Sequence, residues 1–128
     1  MTTIENSHAT TFSMIIAHVI AQRCKVGGMT MNAFYERTGI SQASWSRLAR
    51  GQTRFDIEDL RIIERRVHIP ITEVLQTAQQ VELKAKREGI KIIEPYTTQN
   101  KSDLAEMGLM IVAGAVLGFM ALQVIKSK

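Results

Sequence analysis

The sequence predicts an all-α chain: five short helices within residues 1–88, an extended linker over 89–103, and a single C-terminal hydrophobic helix within 104–128. Three observations lead there. From Phe12 to Ala78 apolar residues recur at steps of three and four, the spacing that lines one face of a helix. Short polar residues that cap helices stand before most of the periodic segments, and a glycine or proline follows most of them. From Met107 to Ile125 the chain carries no charge.

At 128 residues there is room for one domain and an appendage. The 45% hydrophobic content is unevenly spread, with a large share near the C-terminus. A net charge of +4 suits a phosphate-bearing partner, either nucleic acid or anionic lipid. The lone cysteine, Cys24, excludes an intrachain disulfide and reads as a small buried hydrophobe. Met1 to Thr11 is polar and lacks the basic and apolar regions of a cleavable signal peptide.

Thr10, Thr11 and Ser13 offer cap hydroxyls for a first helix striped by Phe12, Ile15, Ile16, Val19, Ile20 and, at its end, Val26, stopping at Gly27-Gly28. Thr30 caps a second, about Met31 to Thr38, and Gly39 can take the left-handed conformation that stops it. Ser41 caps a third, Gln42 to Arg50, closed by Gly51. Asp56 opens a fourth, striped by Ile57, Leu60, Ile63 and Val67 and broken at Ile69-Pro70-Ile71. A fifth starts near Thr72, or with Pro70 in its first turn, turns Val74, Leu75 and Ala78 inward, and extends towards Gly89. Ile90 to Tyr96 reads as an extended connector or an edge strand interrupted by Pro95, and Thr97 to Asp103 as linker.

Met31 to Arg50 has the parts of a helix-turn-helix: Gly39 for a tight turn, Ile40 to plug the core, Trp45 and Leu48 as the buried positions of the second helix, and Phe34 facing them. From about Phe12 to Leu75 the chain resembles the Cro and phage-repressor (Xre-type) family of DNA-binding domains. The segments GMTMNAFYERTGISQASWSRLARGQ and IEDLRIIERRVHIPITEVL carry the likeness. Met31 stands where that family often has a phosphate-clamping glutamine. Tyr35 takes the place of a usual alanine and Thr38 of a usual leucine, which implies a slightly altered helix crossing.

The resemblance implies that the N-terminal end of the third helix enters the major groove of double-stranded DNA. Gln42 is then placed for a bidentate contact to adenine, beside the short, adaptable Ser44. Arg47, one turn on, reaches guanine or a phosphate, and Arg50 and Arg54 suit phosphates. Thr30 and Ser41 add hydroxyls at helix N-termini. Between Ser41 and Phe55 there are three arginines and no acid. Trp45 reads as core, and Lys84, Lys86 and Arg87 as a solvated face.

No catalytic constellation is visible, so an enzyme is not expected. His8, His18 and His68 are scattered and lack a cysteine at zinc spacing, and no cofactor or metal is implied. The acids Asp56, Glu58 and Asp59 suit the positive end of a helix dipole.

As a helix, Met107 to Ile125 would be about 28 Å long, close to a bilayer's hydrocarbon thickness. It is apolar all round, and Gly114 and Gly118 form a GxxxG pair that lets two membrane helices approach. The expectation is a single-pass inner-membrane anchor with lipid around 107–125 and the N-terminal domain in the cytoplasm. The alternative is a cytoplasmic protein whose last helix packs in an oligomer. The function expected is a sequence-specific transcription regulator, a homodimer or higher oligomer on DNA, tethered to the membrane. The alternatives are a membrane-anchored adaptor whose helix-turn-helix binds a protein, and a soluble regulator that oligomerises through the last helix.

Overall fold

The computed structural model describes residues 7–96, 104 and 106–126. A strand β1 (Ser7–Thr10) leads into α1 (Phe12–Val26), followed by α2 (Met31–Thr38), α3 (Gln42–Ala49), α4 (Ile57–Val67) and α5 (Ile71–Arg87). Then come β2 (Lys91–Ile92), β3 (Leu109–Ile111) and a last helix, α6 (Gly114–Lys126). The all-α expectation is therefore wrong: three short parallel strands form a sheet in the order β2-β1-β3.

β1 is the central strand. It pairs Ala9 with Lys91 and Thr10 with Ile92 on one side, and Ser7 with Leu109, His8 with Met110 and Ala9 with Ile111 on the other. The ladders run one bond further at each neighbour, with the Ile93 amide donating to the Thr10 carbonyl and the Val112 amide to the Ala9 carbonyl, both at 2.8 Å. Of the two readings of Ile90 to Tyr96, the edge strand is the one the structure takes at Lys91–Ile92. The linker expected at 97–103 lies outside the described residues.

The helices start where local chemistry caps them. Thr11, Thr30, Ser41 and Asp56 each accept a hydrogen bond from the amide three residues on, satisfying a donor that the first turn leaves free. Pro70 precedes α5 and has no cap hydrogen bond of its own; the Glu64 carboxylate accepts the Ile71 amide instead, at 2.9 Å. One core joins all of them. Ile15, Val19 and Ile20 of α1 lie fully buried with Phe34, Ile63, Val74, Val81 and Leu117. Cys24 is buried too, and burial pushes its thiol pKa up, which keeps it in the inert protonated form.

The expected membrane span does not form. Among the described residues no helix is long and apolar enough to cross a membrane. The uncharged run is divided between β3, which joins the sheet, and α6, whose 13 residues span about 20 Å against the roughly 30 Å required. α6 packs on α1 and α5, burying Leu117, Gly118, Met120 and Ala121 against protein. A single-pass inner-membrane location is overturned with it: these side chains are apolar because they complete a protein core.

Candidate nucleic-acid interface

α2 and α3 are joined by Gly39-Ile40-Ser41. Gly39 adopts φ 75°, the left-handed region where a β-carbon would be strained, and its amide donates to the Tyr35 carbonyl. Thr38, at the usual place of leucine, is buried with its polar group satisfied. Its hydroxyl donates to the Phe34 carbonyl at 2.8 Å and accepts from the Ile40 amide at 3.2 Å. The turn is thus pinned from both sides of Gly39.

The inner face of α3 is fixed by aromatic packing. Trp45 and Leu48 are buried, and the Trp45 ring meets Phe34 edge-on at 4.8 Å and Phe55 at 5.8 Å. Such pairs contribute roughly 0.5–1.5 kcal/mol each beyond the area they bury. With that face anchored, the helical period turns Gln42, Arg47 and Arg50 outward, and all three are exposed.

A chain of hydrogen bonds orders the start of this outer face. The Ser41 hydroxyl caps the helix by accepting the Ser44 amide at 3.0 Å and also donates to the Ser44 hydroxyl at 3.0 Å. Ser44 in turn accepts from the Arg47 guanidinium at 3.1 Å. Arg47 is therefore drawn back along α3 towards Ser44 and the capped N-terminal turn. Arg50 donates from Nε to the Ser46 carbonyl at 3.4 Å and stands near Tyr96, whose phenol pKa is raised by burial and partly lowered again by the Arg50 charge. Thr30 caps α2 through the Ala33 amide.

Arg54 behaves differently. Its guanidinium is paired with Glu94, on the segment that follows β2. The same segment brings Tyr96 over the end of α3, where the Tyr96 amide donates to the Gly51 carbonyl at 3.0 Å. Glu94 escaped the sequence reading because its partner lies 40 residues away, with no local pattern joining the two.

Gly114 and Gly118 belong to α6 and not to this face. Both are turned to α1, Gly114 against His18 and Gly118 against Gln22. The close approach that small residues allow is made within the chain. Among the described residues no three His, Cys, Asp or Glu side chains converge as a metal site.

Comparison with family models, with curated proteins and with solved structures finds no match to this chain.

Proposed function

We propose that this chain is a sequence-specific DNA-binding regulator of the helix-turn-helix class, reading the major groove with α3. The observation that supports it is the composition of one anchored helix face. Trp45 and Leu48 hold α3 to the core, while Gln42, Ser44, Arg47 and Arg50 form a polar, basic outer row with no acid from Ser41 to Phe55. Gln42 and Arg47 are the base-reading pair. A glutamine amide matches the edge of adenine and a guanidinium matches that of guanine. Arg50 and the capped N-termini of α2 and α3 face phosphates, which set register without reading sequence. Arg54 neutralises Glu94 in the free protein and adds a phosphate contact when that pair opens.

The test is selection of bound duplexes from a random pool by the full chain at moderate salt, followed by sequencing. Enrichment of a motif, in particular one with two related halves, is the expected result. Weak, salt-sensitive binding with no enriched motif would overturn sequence-specific reading and leave α3 as a protein-binding surface.

A further inference from the structure

The seam between α1 and α6 brings polar atoms into an apolar contact. His18 of α1 lies against Gly114 of α6, and Gln22, one turn on, lies against Gly118. Among the described residues, neither the buried Nε2 of His18 nor the buried Oε1 of Gln22 has a hydrogen-bond partner. We propose that this seam is an acid-sensitive latch: α6 rests on α1 while His18 is neutral, and protonation of His18 releases α6 from an α1–α5 core that stays folded.

The geometry leaves an added proton without an acceptor. A β-carbon on Gly114 would stand 3.2 Å from Nε2, so the surface that α6 presents to the ring there is glycine backbone. A neutral imidazole needs one acceptor, whereas the protonated ring carries an N–H on both nitrogens and needs two. Holding a cation in a dry seam with one N–H unpaired is costly, and water supplies the missing acceptor once α6 moves away. The Gln22 oxygen is hydrated by the same movement.

No charged neighbour offsets that cost. Of the helices packed on α1, α6 carries only Lys126, at its far end. On α5, Glu73 is paired with Arg23, and Glu82, Lys84, Lys86 and Arg87 lie towards its C-terminal end. The charged residues of α3, Arg47 and Arg50, and of α2, Glu36 and Arg37, are exposed. His8 of β1 and Glu88 line a groove with Ala113 and Val116. None of these charges shifts His18. Burial lowers its pKa from 6.5, and a smaller, opposing effect comes from the Ala49 backbone, which bonds the protonated ring as well. The ring is therefore neutral with α6 docked at neutral pH, and proton uptake as pH falls favours the undocked form.

The packing shows why α6 leaves and the rest stays. α1 packs on α2, α3 and α5, and α4 packs on α2 and α5, so these contacts do not pass through α6. α6 rests on α1 and α5 by one face, and its other face is open at Val116 and Phe119. Backbone pairing of β3 with β1 keeps the released helix attached at Ala113.

The experiment is amide hydrogen exchange of the full chain by NMR between pH 7.5 and 5.5, corrected for the intrinsic effect of pH, with no DNA present. The amides of Leu117, Met120 and Ala121 are expected to lose protection as the His18 ring titrates, by up to about tenfold per pH unit, and to exchange ahead of those of Phe34, Ile63 and Val74. The Cε1–H signal of His18 gives its titration separately from His8 and His68, so the wild-type chain alone carries the test. His18→Asn, polar and unable to take up a proton, should remove the pH dependence of α6 whatever its level of protection. One common exchange rate for α6 and the core, α6 protection indifferent to the titration of His18, or a pH dependence that persists in His18→Asn would each overturn the latch.

Discussion

The imidazole of His18 on α1 lies flush against the backbone of Gly114 at the start of α6, so close that a β-carbon there would stand 2.8 Å from its Cε1 atom. One turn along both helices the contact repeats, with the Gln22 amide nitrogen 2.9 Å from the place of a β-carbon on Gly118. The two glycines nevertheless differ in what surrounds them. At Gly114 the neighbour is a rigid ring, so Gly114→Ile is expected to cost about 1–3 kcal/mol of stability through overpacking. At Gly118 the neighbour is the tip of a flexible side chain. Gly118→Ala can displace it and gain up to about 1 kcal/mol of helix propensity, for a net change near zero or favourable. Denaturant midpoints of the two variants check this. Equal losses would mean that Gln22 is held as firmly as His18.

His18 also makes stability depend on pH. Burial lowers its pKa from 6.5, the larger effect, and a hydrogen bond with the Ala49 backbone at the end of α3 partly restores it. Its Nε2 is buried without a partner. Because the folded-state pKa lies below the unfolded value, the unfolded chain binds the proton more readily. Stability is full above pH 6.5 and falls as pH drops through that value towards the lower folded pKa, with a slope of at most about 1.4 kcal/mol per pH unit for one proton. Thermal unfolding at pH 7.5 and 5.5 should show a loss in the wild-type chain that shrinks in His18→Asn, which keeps a polar group and cannot be protonated. An identical loss in both would assign it to other groups.

Much of the helical part of this fold is written locally, and the sheet is not. Thr30, Gly39, Ser41 and Asp56 each act within four residues of their own position, so α2, α3 and α4 begin and α2 ends where those residue types stand. β1 is Ser-His-Ala-Thr, with no alternation of apolar residues to betray it. It is a strand because Lys91–Ile92 and Leu109–Ile111 return to it from the far end of the chain. The uncharged run misled for a different reason. An uncharged run reports only that its side chains are apolar; here β3 and one face of α6 spend them on protein, while Val116 and Phe119 stay exposed. The outward row on α3 could be read from helical period alone, whereas the pairing of Arg54 with Glu94 depends on where the sheet returns the chain.

Gly51 closes α3 in the left-handed region, φ 82°, and a β-carbon there would stand 2.7 Å from the Met14 sulfur and 3.2 Å from the Tyr96 ring. Backbone strain of about 1–2 kcal/mol therefore adds to a steric clash on both sides. Gly51→Ala is expected to be destabilising by about 2–4 kcal/mol in total. It should also loosen the 93–96 segment, because the Tyr96 amide is held by the Gly51 carbonyl. Hydrogen exchange at Tyr96 measures this directly. Protection equal to that of the wild-type chain would show that the segment is held by the sheet and not by the loop.

Under the proposed DNA-reading function, removing Glu94 from its pair with Arg54 and removing Arg47 from its bond to Ser44 are expected to have opposite effects on duplex binding. Both ion-pair residues are well exposed, so breaking the pair should change stability by less than about 1 kcal/mol. Glu94→Gln removes the counter-charge and releases Arg54. It should raise affinity for any duplex and steepen the logarithmic salt dependence by about one unit, the signature of one added phosphate contact. Arg47→Ala should cost about 1–3 kcal/mol on the selected duplex and flatten the preference at one base position, because a base-reading contact is lost. Titrating both variants against the selected and a scrambled duplex over a range of salt separates the two roles. If Arg47→Ala weakened both duplexes equally, Arg47 would be a phosphate contact and Gln42 would be left as the reader on α3.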